Sequence, residues 1–140
     1  MSKKSPRIAA LIANCQGREL DAHYLGYFEC FNRGMFYEAH DVLEELWLPN
    51  RTGANGSFYK GLIQLAGAFV HLEKGRPQPA AAVLRLARAN LERYPAIHER
   101  LDVHDLLTMI GRWLERLDPD SSTCNSLTSN IAPRLALREL

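Results

Sequence analysis

Apolar residues recur along most of this chain at three- and four-residue intervals, the spacing of helices buried on one face. Leu20, Tyr24, Tyr27, Phe28 and Phe31 fall at i, i+4, i+7, i+8 and i+11 and predict an amphipathic helix. Arg33-Gly34 should end it, because glycine adopts the left-handed cap most cheaply. A second helix is expected from about Met35 to Leu48, with Pro49 stopping it, since the residue before proline avoids helical geometry. Residues 49–57, PNRTGANGS, form a polar, glycine-rich loop. A long helix over 57–74 carries Phe58, Leu62, Leu65, Phe69 and Leu72 on one stripe, and Gly75 is its stop. It is apolar on nearly all sides, which makes it the central helix. Gly61, Gly67 and Ala68 leave little bulk on one side of it, so another helix or a ligand can approach.

Pro77 and Pro79 fit only the first turn of the next helix. Its inner face is Leu84, Ala87, Leu91 and Tyr94, and Pro95 ends it. Asp102 should cap a last helix along which Leu106, Ile110, Trp113 and Leu117 align. A short first helix opens at Ser5-Pro6 and closes at Gly17. No strand pattern is visible. The pattern predicts an all-α fold: a compact bundle of four to six helices, mostly antiparallel neighbours because most connections are short. With 140 residues, one helical domain is expected over 1–118, followed by a polar linker and C-terminal tail over 119–140 that docks or frays.

Composition narrows the function classes. The net charge of +1 gives no global basic field, so nucleic acid is not a favoured partner. Arg85, Arg88 and Arg93 with Lys74 and Arg76 are read as the solvated face of a helix, since no aromatic residues interleave with them. The longest apolar run, 61–72, is shorter than the roughly 20 residues a bilayer span needs, so no membrane association is expected. The basic N-terminus leads into a short apolar stretch broken by Asn14, unlike a signal peptide. Cys15, Cys30 and Cys124 are odd in number and widely spaced, which predicts three free thiols and a cytoplasmic location. Cys30, among Tyr27, Phe28 and Phe31, is a core filler.

The chemistry-bearing residues concentrate in 31–50, FNRGMFYEAHDVLEELWLPN. On a helix, His40, Glu44 and Trp47 at i, i+4 and i+7 share a face. On the central helix, Gln64 and His71 at i and i+7 share another, with Gly67 between them. If the two helices are antiparallel neighbours, His40, Glu44, Gln64 and His71 converge beside a glycine gap, with Trp47, Tyr59 and Gly67 as lining. Glu38 and Asp41 point elsewhere and are secondary candidates. A carboxylate that orients an imidazole is the raw material of general acid–base work, and the reading that follows is a site for a small polar or anionic ligand. No nucleophile, phosphate loop or cofactor fingerprint accompanies it, so no cofactor is predicted.

Two alternatives stand beside that reading. The cluster is a polar network that only fixes helix pairing, in a non-catalytic structural or interaction module working through an apolar groove or as a homo-oligomer. Or it is a metal site, with His40, Glu44 and His71 as the ligands. The di-iron pattern Glu-x-x-His on two helices is absent, so metal is not favoured. His23, His98 and His104 stand at helix edges and are expected to be solvated.

YFECFNRGMFYEAHDVLEELWL followed by FYKGLIQLAGAFVHLEKG resembles the bacterial and archaeal helical family catalogued as domain of unknown function 309. The resemblance rests on Glu38-Ala39-His40, Leu43-Glu44, Trp47, Gly61-Leu62-Ile63-Gln64 and His71 in combination, and covers about residues 24 to 94. It implies an all-helical bundle in a small soluble protein and brings no catalytic role with it.

Overall fold

The helices form where periodicity and end signals coincide. A computed structural model describes residues 5–119 and 133–138. Helix α1 spans Ser5–Leu11, and a single 3₁₀ turn, Ala13–Cys15, follows it. Helix α2, Ala22–Asn32, opens on Asp21, whose carboxylate accepts from the His23 amide at 2.7 Å. Gly34, at φ +76°, turns the chain into α3, Phe36–Asn50. Then come α4, Gly56–Glu73, and α5, Pro77–Leu91, joined through Gly75 at φ +69°. The last helix, α6, is Val103–Arg116, and Asp102 caps it by accepting from the Asp105 amide at 2.9 Å.

The bundle is all-α, and α4 is its centre. Phe58, Leu62, Leu65, Ala66, Ala68 and Phe69 are fully buried there. Helix α4 packs on α3 and on α5, while α2 packs on α3. Tyr27 of α2 reaches the core of α4, donating to the Leu62 carbonyl at 2.6 Å. At Gly61 the approach of α5 is so close that a Cβ would lie 2.8 Å from Leu91 Cγ. Trp113 of α6 meets Phe69 edge to face at 5.3 Å and closes the far side of the core.

Three expectations are corrected. Pro49 does not stop α3 but lies within its last turn. At that position proline forfeits one backbone bond at the helix end rather than breaking an interior ladder. The Asn50 side chain adds a bond in the same turn, donating to the Leu46 carbonyl at 2.8 Å. The absence of strands also fails, in a small way. Ile97–His98 (β1) pairs antiparallel with Leu101–Asp102 (β2). Glu99 and Arg100 form the connecting turn, both at positive φ, the geometry of a two-residue hairpin. Neither is the Asn or Gly that usually signals such a turn, and two-residue strands have no readable period. Tertiary contacts hold it instead: Tyr24 donates to the Glu99 carbonyl at 2.8 Å, and Arg138 N–H to the Arg100 carbonyl at 2.7 Å.

The third correction concerns His23 and His98, which are not simply solvated. His23 lies between Asp21 and Glu45 at 3.2 and 3.0 Å. His98 packs edge-on against Phe58 and bonds Asn55 at 2.7 Å. His104 is exposed, as its helix-edge position suggested.

Residues 120–132, which hold the expected linker DSSTCNSLTSN and Cys124, lie outside the described residues. Residues 133–138 dock: Asn32 exchanges two 2.6 Å hydrogen bonds with the Leu135 backbone, and Leu137 bridges to Leu101. Cys15 and Cys30 are free and buried. Burial, and next the Glu38 carboxylate, pushes the Cys30 thiol up to about 11. No helix among the described residues is long and apolar enough to cross a membrane.

Candidate functional site

Two stripes face each other across the α3–α4 pair. On α3, His40, Glu44, Trp47 and the C-cap Arg51 fall at i, i+4, i+7 and i+11. On α4, Lys60, Gln64, Gly67 and His71 repeat the same spacing. The helices run antiparallel through a short loop, so the stripes meet in reverse order. The Lys60 ammonium lies over the Trp47 ring, 5.9 Å from its centroid. Further along, His40 Cδ2 sits 4.0 Å from where a Cβ on Gly67 would be. The result is a polar seam about 16 Å long on the surface of an otherwise apolar interface.

At the middle of the seam, His40 has a carboxylate on each side. Its Nδ1 is 3.3 Å from Asp41 Oδ1, and its Nε2 is 4.0 Å from Glu44 Oε2. The His40 and Glu44 side chains are about one-third exposed, so water reaches them. Asp41 does not point to solvent. It is 5% exposed, the buried charged residue among those described.

The expected four-residue cluster is not joined into one network. Gln64 Oε1 accepts from Asn90 Nδ2 of α5 at 2.7 Å, so its amide serves the α4–α5 pair. His71 lies at the other end of the seam, and its buried Nδ1 has no hydrogen-bond partner among the described residues. Tyr59 is not part of an aromatic wall with Trp47. One residue before Lys60, it faces away, packing on Tyr24 and Phe58 and receiving a 3.4 Å bond from Asn55. Glu38 is 3.9 Å from Arg7, and desolvation, followed by the Glu38 carboxylate, raises Glu73 from its ordinary value.

A metal reading gains nothing at His40, Glu44 and His71. Among the described residues, the set whose ligand atoms gather within 4.8 Å is Asp102, His104 and Asp105. That proximity follows from helix capping by Asp102, and His104 and Asp105 are exposed.

The seam opens at its Trp47 end into a cleft of about 510 Å³. Trp47, Arg51, Ser57, Lys60, Asn90 and Arg93 line it, and no carboxylate does among the described residues. Arg93 is fixed there by donating to Ser57 Oγ at 2.9 Å. Tyr94 pins the loop beneath, donating to the Ala54 carbonyl at 2.8 Å and accepting from the Phe58 amide at 2.9 Å. No side chain caps the first turn of α4, because Asn55 uses its amide on Tyr59 and His98. Sequence reasoning missed Arg51, Ser57, Lys60, Asn90 and Arg93. Two of them were within reach: Lys60 and Arg51 extend the stripes already drawn by one turn each. Ser57, Asn90 and Arg93 were not, since only the packing of α5 on α4 brings them together.

These residues fall largely inside a recognised segment. Residues 24–83 match the family described as a domain of unknown function, DUF309. The matched segment runs from α2 into α5, and so contains both stripes and the Arg51–Ser57 loop but not Asn90 or Arg93. An uncharacterized protein of Aquifex aeolicus (strain VF5) is 35% identical over 65 residues, 46% of this chain and 20% of that protein. The likeness therefore spans about a fifth of the relative's length. No solved structure matches.

Proposed function

We propose that this protein binds a small anionic molecule, holding its charged end in the cleft at the Trp47 end of the seam. One observation carries the reading. Arg51, Lys60 and Arg93 converge on a concave space with no carboxylate in its lining, and none of the three forms an ion pair among the described residues. A cleft lined by one sign of charge concentrates the opposite ion, and a bound anion would gain the field of these cations without displacing an existing ion pair. The volume is in the range of small-molecule sites.

The remainder of the seam supports the same reading. His40, between two carboxylates and open to water, offers a group for contacting or exchanging a proton with the ligand's body. The interaction-module alternative has less behind it. Among the described residues, the exposed large apolar side chains are Tyr37, Leu48, Leu86 and Ile97, spread over α3, α5 and β1 rather than gathered in a groove.

The test is a thermal-shift series with sulfate, phosphate and small carboxylates at constant ionic strength. A ligand that binds only the folded state raises the melting temperature in proportion to its occupancy. The parent should be stabilised and a Lys60→Glu, Arg93→Glu variant should not respond. A parent that responds to none of these anions would end the proposal.

A further inference from the structure

We infer that the anion this cleft is built for is a phosphate monoester with an aromatic or heterocyclic body, rather than a carboxylate or free phosphate. The inference rests on the anion-binding reading above and assigns its ligand class.

The first argument is the direction of the cations. Arg51 comes from the end of α3, Lys60 from the first turns of α4, and Arg93 from the segment after α5. They approach from three separate elements. A carboxylate is planar and is satisfied by a single guanidinium fork from one side. A phosphate monoester carries a charge near −1.5 to −2 on three tetrahedral oxygens, and so takes donors from three directions. The Ser57 hydroxyl, already bonded to Arg93, and the Asn90 amide add neutral polar groups on the same wall. The uncapped first turn of α4 adds to this field, although the side-chain cations carry the argument.

The second argument is volume. A phosphate group is a few times the roughly 30 Å³ share of a water molecule. It leaves most of the 510 Å³ for the rest of the ligand. The third is Trp47. An indole in a cationic cleft offers a flat apolar surface, here with Lys60 over its ring. An aromatic body would take the place beside that ring while its phosphate meets Lys60, Arg51 and Arg93.

Isothermal titration of the intact protein with four probes tests this: phenyl phosphate, benzoate, inorganic phosphate and a single-stranded RNA hexamer. Phenyl phosphate should bind at least about tenfold more tightly than benzoate or inorganic phosphate, as charge-assisted bonds and ring contact each contribute. Its affinity should fall with added salt. Lys60→Ala and Arg93→Ala, confirmed folded by circular dichroism, should each weaken it by about tenfold or more. Lys60→Arg should recover part of the loss, and Arg85→Ala, on the exposed face of α5, should change nothing. Equal binding of benzoate and phenyl phosphate would overturn the ester assignment while leaving anion binding in place. Equal binding of inorganic phosphate and phenyl phosphate would overturn the aromatic body in the same way. The RNA hexamer binding more tightly than phenyl phosphate would replace a small-molecule site with a nucleic-acid one. Binding of none of the four would remove both this inference and the reading beneath it.

Discussion

Two glycines six residues apart on α4 should respond to alanine in opposite directions. Both lie within the helix, where alanine is favoured over glycine by about 1 kcal/mol. Their surroundings differ. At Gly61 an added Cβ would sit 2.8 Å from Leu91 Cγ, 3.1 Å from Leu91 Cδ2 and 3.3 Å from the Ala87 carbonyl oxygen. Leu91 is fully buried, so it cannot swing away, and the carbonyl belongs to the backbone of α5. The helices must separate or Leu91 must leave its rotamer, and overpacking of this kind costs about 1–3 kcal/mol. At Gly67 the nearest atom is His40 Cδ2 at 4.0 Å, an ordinary contact. Gly67→Ala should therefore stabilise by up to about 1 kcal/mol, whereas Gly61→Ala should be neutral to destabilising by about 2 kcal/mol. The difference between the two variants cancels the propensity gain and isolates the steric term. Urea unfolding followed by far-ultraviolet circular dichroism measures it, and an unchanged slope would place the effect in the native state. If Gly61→Ala proved as stable as Gly67→Ala, the close approach of α5 to α4 would be wrong.

Asp41 and Glu44 should separate just as clearly. Glu44→Ala loses a pair at 4.0 Å whose side chains are about one-third exposed, and should cost no more than about 0.5 kcal/mol. Asp41→Ala removes a 5%-exposed carboxylate and should cost about 1–3 kcal/mol in the same unfolding assay. Equal costs would contradict their burial. The native protein should leave Cys15 and Cys30 unreacted toward a disulfide reagent near neutral pH, since burial raises both thiols, and unfolding should expose them; rapid labelling of either in the native state would show that it is open to solvent. Glu73 is held above its ordinary value of 4.5 in the folded state, so the folded protein binds its proton more tightly and stability is lost as pH rises through the folded pKa. Glu73→Gln should match the parent below pH 4.5 and exceed it at neutral pH in thermal unfolding, and a gap that closes with rising pH would reverse the sign. His71→Leu removes the orphaned Nδ1 and should be neutral or stabilising, with a loss of more than about 1 kcal/mol pointing to a partner for that nitrogen.

The helices were legible because each is specified twice, by its apolar period and by an end signal. Gly34, Gly75 and Asp102 act where the pattern places them. The hairpin at 97–102 was not legible, because its turn takes its conformation from Tyr24 and Arg138, residues far away in the chain. Pro49 misled for a related reason. Its missing N–H removes one bond to the carbonyl four residues back, and near the end of a helix that single loss is tolerated, with Asn50 adding a side-chain bond to the Leu46 carbonyl in the same turn.

The candidate site divides along the same line. His40, Glu44, Trp47 and Gln64 share faces that helical spacing alone determines. Their bonding does not follow from that spacing. Gln64 turns to Asn90, and His40 takes Asp41 as its near carboxylate, although adjacent residues on a helix do not normally face one another. Periodicity fixes the face of a side chain but not which of two neighbouring helices it serves. Gln64 lies on the boundary between the α3 and α5 sides of α4, and a central helix has such boundary positions along its whole length. The same boundary is where the cleft opens. Lys60 looks toward α3 through Trp47, while Ser57, one turn earlier, looks toward the end of α5 through Arg93. A site between three helices draws on residues whose pairwise spacing in sequence carries no period at all, such as Arg51 with Arg93. What brings those two charges to one space is the close packing of α5 on α4, and that packing depends on the missing side chain at Gly61. A Gly61→Ala variant that shifts α5 should therefore weaken anion binding as well as stability, even though Gly61 does not line the cleft.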